Sequence, residues 1–234
     1  MAEIVCKDKT TREINHAIRR LAGEGTQQIR LTSPGARHNL GVAVLDATHL
    51  TVDGSVGYYC AGMVDGPTVE IKGSAGWGLA ESMMSGTVIV HGNAGNGAGA
   101  AIRSGTIVIH GDAAARLGVS MKGGQILVAG NCGYMAGFMG QKGTIIVCGD
   151  TGAAFADSMY ETVCFVGGKI GELGNDTVIE EPSEGERSSL SATLSRHLSE
   201  TIPNPDALPF KKVVSGRKLW NFDKHERALW REAL

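Results

Sequence analysis

Short segments of alternating hydrophobic and polar residues recur along the chain every 19 residues. Six-residue segments begin at positions 49, 68, 87, 106, 125 and 144, and read HLTVDG, TVEIKG, TVIVHG, TIVIHG, QILVAG and TIIVCG. A seventh, TVCFVG, begins at Thr162 after a step of 18 residues. Because residues two apart on a strand point to the same side, the second and fourth residues of each segment are predicted to face one interior. The pattern predicts one short strand per repeat.

Glycine recurs at fixed offsets after each predicted strand. The chain has 34 glycines in 234 residues, about twice the usual share of ~7%. Glycine allows turns with positive φ and lets neighbouring backbones pass closely. We therefore expect a set of structural glycines at the corners of the repeat: Gly54, Gly57, Gly73, Gly76, Gly92, Gly95, Gly99, Gly111, Gly118, Gly130, Gly133, Gly137, Gly149 and Gly152.

A strand and a glycine corner in every repeat are typical of a stacked solenoid. A left-handed hexapeptide solenoid requires aliphatic residues every six positions, but the residue six after Val88 is Ala94. The predicted fold is therefore all-β, a right-handed parallel β-helix of about seven 19-residue turns that occupies residues 36–171.

The two ends of the chain depart from the repeat. In residues 1–35 we expect an N-terminal strand and an amphipathic capping helix, because Thr10 and Glu13 have capping-box spacing and Ile14, Ile18 and Leu21 share one face. Residues 172–234 are predicted to be a polar linker and a tail, with a short helix at 189–198. The tail aromatics are expected to fold back on the rod or to anchor in another subunit.

One column of the repeat should point outward and yet is apolar in four consecutive turns. An uncovered apolar strip is a liability in a monomer. The N-terminal helix or the C-terminal tail could cover it, or a partner protein could. The candidate partner interface combines this strip with the tail aromatics: Ile89, Val108, Leu127, Ile146, Trp220, Phe222 and Trp230.

Composition and charge exclude several classes of protein. The formal net charge is −2, which gives no electrostatic case for binding nucleic acid or an anionic membrane. No apolar run approaches the ~18 residues of a membrane span, and the start of the chain has no signal-peptide pattern. The five cysteines form no CxxC pair and are expected to be free thiols in a cytoplasmic protein.

No residue is assigned a catalytic, cofactor-binding or metal-binding role in this chain. The stretch 87–105 looks like a phosphate-binding glycine loop, but its third glycine lies one place too early and another strand follows it directly. His91 and His110 share a column ~5 Å apart, which suggests either a two-histidine metal site or, as we favour, polar surface residues. Asp112 and Asp150 suit either inverting glycoside hydrolysis or, as we favour, turns in which they cap backbone amides.

The glycine spacing resembles that of a known family. Gly92, Gly95 and Gly99 have the spacing Gly-x-x-Gly-x-x-x-Gly, as do Gly130, Gly133 and Gly137. Together with the 19-residue period, this resembles the GXGXG domain, the β-helix at the C-terminus of the glutamate synthase large subunit. It is also similar to the solenoid subunit of formylmethanofuran dehydrogenase. The resemblance covers roughly residues 36–171, and among stand-alone GXGXG proteins it extends to the solenoid subunit of methylamine–glutamate N-methyltransferase (N-methylglutamate synthase).

The resemblance implies a structural role within a hetero-oligomer. A glutamate-synthase-like complex would pair this chain with a class II glutamine amidotransferase-like subunit and with a subunit that carries FMN and iron–sulfur clusters. The implied reaction of such a complex forms N-methylglutamate and ammonia from glutamate and methylamine. The alternatives are a solenoid subunit in a formylmethanofuran dehydrogenase-type complex and an independent β-helix enzyme that acts on carbohydrate.

Overall fold

The computed structural model describes residues 1–217, which form eleven strands and two α-helices. The first elements are β1 (Ala2–Val5), α1 (Thr11–Gly23) and β2 (Gln28–Thr32). The repeats supply β3 (His49–Val52), β4 (Thr68–Ile71), β5 (Thr87–Val90), β6 (Thr106–Ile109), β7 (Lys122–Val128), β8 (Lys142–Val147) and β9 (Glu161–Val166). The chain continues with β10 (Thr177–Glu180), α2 (Glu184–His197), a 3-10 turn (Pro205–Ala207) and β11 (Lys211–Ser215).

All eleven strands belong to one sheet, in the order β1-β2-β3-β4-β5-β6-β7-β8-β9-β11-β10. Strands β1 to β9 are parallel, and from β3 to β7 each residue pairs with the residue 19 positions later, as Val88 pairs with Ile107. The predicted parallel β-solenoid is confirmed. Strands β1 and β2 extend its sheet beyond the first repeat, whereas β11 and β10 close the other end in antiparallel orientation.

The solenoid interior is built from the two predicted inward columns. Their members in β3 to β8 are at most 1% exposed: Leu50, Val52, Val69, Ile71, Val88, Val90, Ile107, Ile109, Ile126, Val128, Ile145 and Val147. β-Branched side chains fit a pleated, closely packed surface, since their χ1 is already restricted. A second line of contact joins the coils through single bridges at Val56, Ala75, Ala94, Ala113, Cys132 and Thr151.

From β4 onward, the glycine that follows each strand has a steric role rather than a conformational one. Of the fourteen predicted corner glycines, only Gly54, Gly99, Gly118 and Gly137 have positive φ. At Gly111 a Cβ would overlap Oδ1 of Asn93, a side chain of the preceding coil. Glycine is needed there because the neighbouring coil fills the space that any side chain would take. Of the two reasons expected for these glycines, close passage of neighbouring coils applies to most of them, whereas positive φ applies to only four.

Helix α1 covers the N-terminal end of the solenoid, as its pattern predicts. Thr10 is the N-cap and forms a capping box with Glu13. Ile14 and Ile18 are fully buried in the main core. The Asn15 side chain ties the helix to the first coil, because it donates to the Asn39 carbonyl at 2.7 Å and accepts from the Gly41 amide at 2.9 Å.

Helix α2 covers the outward apolar strip. It begins at Glu184, five residues before the predicted start, and Ser183 caps it in a capping box with Glu186. Its Leu190 and Leu194 are at most 4% exposed and form a second core with the strip, together with Leu198 and Phe210.

Three members of the strip are therefore not a partner interface. Val108, Leu127 and Ile146 are at most 3% exposed because α2 of the same chain lies over them, and Ile89 packs at the edge of this cluster. The predicted interface residues Trp220, Phe222 and Trp230 lie outside the described residues. Within residues 1–217, no helix has the length and apolarity that crossing a membrane requires.

Candidate functional site

Helix α2 leaves the outer face of β2 to β4 uncovered, and polar side chains occupy this part of the sheet and the end of β5. We call it the polar face: Arg30, His49, Thr51, Asp53, Glu70, Lys72 and His91. Strand residues that flank an inward position point outward, so Glu70 and Lys72 project together from β4 and its end. Beside them is a groove of about 370 Å³, lined in part by Gln28, Arg30, Thr51 and Asp53.

Glu70 is the centre of the polar face. Its Oε1 accepts from Lys72 Nζ at 2.5 Å and lies 2.8 Å from His91 Nε2, whereas Oε2 lies 3.4 Å from His49 Nε2. Burial alone raises the pKa of Glu70, but the hydrogen bonds from Lys72 and His91 outweigh it and lower the pKa to about 2. The carboxylate is therefore ionised throughout the physiological pH range.

His91 and His110 stack directly on each other in adjacent coils. Their ring centroids are 4.9 Å apart and the planes differ by 4°, which confirms the predicted spacing of about 5 Å. His110 Nδ1 lies 2.8 Å from Thr201 Oγ1, in the segment that follows α2. Burial lowers the pKa of His110, and the nearby His91 lowers it further. The stack of His91 on His110 and the contact of His110 with Thr201 thus link the polar face to the segment after α2, the helix that covers the rest of the sheet's outer face.

The stacked geometry does not suit a shared metal ion. Parallel imidazoles carry their nitrogen lone pairs in separate planes, whereas a metal site needs lone pairs that converge on one point. Among residues 1–217 there is no group of three or more His, Cys, Asp or Glu residues with metal-binding geometry. For the two histidines, polar surface residues are the interpretation that fits.

The polar face holds charged groups in one connected network. His49 and His91 each approach the carboxylate of Glu70 through Nε2, so both rings are oriented by it. A second ion pair, Arg30 to Asp53 at 2.6 Å, borders the groove. Within the described part of the chain, the only hydroxyl or thiol hydrogen-bonded to His49, His91 or His110 is that of Thr201. The geometry is that of an ion-pair network at a surface.

Sequence reasoning identified the histidine column but missed Glu70. Glu70 belongs to the outward column next to that of His91 and His110. A signal was present, because Lys72 pairs with His91 in the 19-residue register and Glu70 is two residues from Lys72. Residues two apart share a face, so Glu70 and His91 are diagonal neighbours.

Asp112 and Asp150 are structural. Oδ1 of Asp112 accepts from the Asn131 amide at 2.7 Å, and Oδ1 of Asp150 accepts from the Lys169 amide at 2.7 Å. The interpretation that these aspartates cap backbone amides is confirmed.

All five cysteines are buried free thiols, as expected. Burial raises the pKa of Cys60, Cys132 and Cys148 to about 12. These thiols are protonated and poorly nucleophilic at neutral pH.

Comparison with known proteins relates the chain to a solved structure. No family model and no curated protein sequence matches it. A chain in the crystal structure of the formyltransferase/hydrolase complex FhcABCD from Methylorubrum extorquens, in complex with methylofuran, superposes with a TM-score of 0.63. The two are 24% identical, and the match covers 83% of this chain and 84% of the other. This likeness establishes the shared β-solenoid fold.

Proposed function

We propose that this chain is the solenoid subunit of a multi-subunit enzyme of the formyltransferase/hydrolase type, in which it supplies architecture and subunit contacts while partner subunits carry the chemistry. The observation that carries the proposal is the superposition over more than four fifths of both chains with a component of the FhcABCD complex. A shared fold alone does not fix function, so the surface of the chain has to support the same role.

The division of the sheet's outer face supports a scaffold role. Helix α2 seals the apolar half over β6 to β9, whereas the polar half over β2 to β4 is left open with its ion pairs formed. A stacked solenoid presents an extended surface, the feature by which repeat proteins bind partners. The substrate of such a complex would be a carrier of one-carbon formyl groups.

A second candidate is the glutamate-synthase-like complex. It is favoured by the motif Gly-x-x-Gly-x-x-x-Gly in Gly92–Gly99 and again in Gly130–Gly137, within the 19-residue period. In this case the partners would be an amidotransferase-like subunit and a subunit with FMN and iron–sulfur clusters, and the complex would act on glutamate and methylamine.

Purification from the native host distinguishes the two candidates. The chain carries an affinity tag at its chromosomal locus, and native mass spectrometry measures the intact assembly and identifies its subunits. Formyltransferase and hydrolase partners would support the first candidate, and flavin and iron–sulfur absorbance with an amidotransferase-like subunit would support the second. A monomer in fresh extract under low-salt conditions would overturn both.

A further inference from the structure

Large apolar side chains are exposed in the turns that follow β3 and β4, on the side of the coil away from the sheet. The exposed fractions are 41% for Tyr58, 48% for Tyr59, 53% for Met63 and 53% for Trp77. Tyrosine, tryptophan and methionine are enriched at the centres of protein interfaces, and contiguous apolar patches on soluble proteins mark binding surfaces. We call these four residues the aromatic corner.

The aromatic corner is ordered by stacking along the solenoid axis. His38, Tyr58 and Trp77 come from three consecutive coils, and their ring centroids are 4.5 Å and 5.2 Å apart. Each ring therefore packs against the ring of the neighbouring coil. Such rigid rings lose little conformational entropy on binding, which favours a role as anchors.

A groove of about 190 Å³ opens beside this stack, lined by Asn39, Val42, Tyr59, Gly62, Met63, Glu81 and Ser82. The Tyr59 ring lies over the backbone of Gly78, since a Cβ there would be 2.6 Å from Cδ1 of the ring. The same point lies 3.2 Å from Oε2 of Glu81. An aromatic ring and a carboxylate are thus neighbours in one groove.

The Glu81 carboxylate makes no hydrogen bond or ion pair with any of residues 1–217, in contrast to Glu70, which has three partners. Arg19 also reaches the rim, but its Nη1 donates to the Val42 carbonyl at 3.1 Å. The groove therefore combines an unpaired negative charge with a half-exposed aromatic ring. A cationic group that is also planar complements both features.

Tyr59 also has a backbone conformation that is unusual for its size. Its φ is +57°, and the equivalent positions in the next two coils are Gly78 and Gly97. A bulky residue in the left-handed region costs about 1 kcal/mol or more. The same left-handed conformation recurs at the equivalent positions Arg116 and Met135 of later coils, so the stacking of the coils imposes it, and it fixes the backbone from which the Tyr59 ring forms the wall of the groove.

We propose that this groove receives an arginine side chain from a partner subunit, with the guanidinium stacked on Tyr59 and paired with Glu81. Arginine is favoured over lysine because a flat guanidinium can stack on a ring and form two parallel hydrogen bonds with a carboxylate. The partner is a protein segment with apolar residues next to this arginine, which match Met63 and Trp77. The inference rests on the proposed role of the chain within an assembly, and it assigns the contact to this corner rather than to the polar face.

A titration of the full-length chain tests the chemistry of the groove directly. The probes are N-acetyl-arginine amide and its neutral isostere N-acetyl-citrulline amide, and NMR chemical shifts of Glu81, Tyr59 and Met63 are the readout. We expect shifts from the arginine probe that are at least about threefold larger than those from citrulline, because only the guanidinium is charged. Glu81→Gln removes this difference, whereas Glu172→Gln, an exposed glutamate on the last coil, retains it. Equal shifts from both probes, or a difference that survives Glu81→Gln, would overturn the proposal.

The native assembly provides the second test. Glu81→Gln and Tyr59→Ala should each lower the affinity of the chain for one partner subunit by ~10-fold or more, because each leaves the partner's arginine without its counterpart. Cross-linking from position 81 should then identify an arginine-containing segment of that subunit. An intact assembly in which Tyr59 and Met63 remain accessible to solvent would refute the arginine contact while leaving the scaffold function in place. A wild-type chain that is monomeric would instead refute the scaffold function, and the titration would still decide on the groove.

Discussion

Oδ1 of Asn93 accepts a hydrogen bond of 2.8 Å from the backbone amide of Asp112, which lies one coil further along the solenoid. The same contact recurs from coil to coil, because at this position each side-chain oxygen accepts from the backbone amide 19 residues later. The series runs through Ser55, Ser74, Asn93, Asp112, Asn131 and Asp150 and ends at the amide of Lys169. Each side chain satisfies an amide at the point where the strand ladder has stopped. The corners are therefore joined by a second, side-chain ladder that runs parallel to the sheet.

Removal of one hydrogen bond of this side-chain ladder should lower the folding stability measurably. Asn93→Ala deletes the acceptor for the Asp112 amide, and we expect the free energy of unfolding to fall by about 1 kcal/mol. Urea unfolding followed by circular dichroism measures the change. Asn204→Ala serves as the control, because Asn204 is exposed and its side chain makes no capping bond. Equal losses for the two variants would argue against the side-chain ladder.

The glycine that precedes each residue of the side-chain ladder after Ser55 should not tolerate substitution by alanine, because the ladder side chain of the preceding coil occupies the space that a Cβ would need. A Cβ at Gly111 would overlap Asn93 Oδ1 and would lie 2.8 Å from the Gly92 carbonyl oxygen. We expect Gly111→Ala to destabilise the chain by about 2–3 kcal/mol. The double variant Asn93→Ala with Gly111→Ala should lose less than the sum of the two single effects, since one of the two clashes is gone. Strict additivity in urea unfolding would show that the backbone contact alone explains the glycine.

These contacts show what the sequence could and could not predict. The strands and the inward columns follow from local alternation and a fixed period, which need no knowledge of neighbours. The reason for Gly111 depends on a side chain 18 residues earlier, whose position becomes known only after the coils are stacked. From sequence alone, glycine suggests both positive φ and close passage of backbones, and only the stacked coils show that close passage is the reason for most of this column.

The start of α2 and the Glu70 cluster were missed for different reasons. Ser183 and Glu186 have the spacing of a capping box, so the helix start was predictable, but the neighbouring proline and charged residues suggested a linker. Glu70 required the diagonal relation between two columns of a sheet. Whether these residues form an exposed cluster depends on which strands are left uncovered, and the position of α2 determines which strands those are.

It should be possible to weaken the packing of α2 on the outward strip while the solenoid itself stays folded. Leu194 is fully buried against this strip, and Leu194→Ala should lower the free energy of unfolding by about 2–4 kcal/mol. The parallel stack has its own core, so circular dichroism should still report the native strand content, whereas binding of a hydrophobic dye should increase. Ser195→Ala, on the exposed side of α2, is the control. A variant that unfolds completely under native conditions would contradict this independence.

The stability of the chain should fall when the pH drops from 7 to 5, in part because of His110. Burial and His91 lower the pKa of His110, so the unfolded chain takes up a proton before the folded chain does. The contribution of His110 is therefore fully present above the unfolded pKa of about 6.5 and is lost as the pH falls below it. His110→Gln should flatten the pH dependence of urea unfolding between pH 7 and 5.

His197 has a pKa lowered by burial as well, so the flattening from His110→Gln should be partial. The double variant with His197→Gln should flatten the profile further, whereas His16→Gln, at an exposed position of α1, serves as the control. An unchanged profile in the double variant would show that neither imidazole is held neutral by the fold.

Glu70 should determine how the chain responds to stronger acid. Its pKa in the folded chain is about 2, below the ordinary value of 4.5, because the hydrogen bonds from Lys72 and His91 outweigh the effect of burial. Stability that depends on the ionised carboxylate is thus present above pH 4.5 and is lost as the pH falls toward 2. At neutral pH we expect Glu70→Gln to cost about 1–2 kcal/mol, because the partner side chains are at least one third exposed and water screens part of the attraction. The difference between wild type and Glu70→Gln should shrink as the pH is lowered from 4.5 to 3 in urea unfolding. A difference that stays constant with pH would mean that Glu70 stabilises the sheet by packing and not by charge.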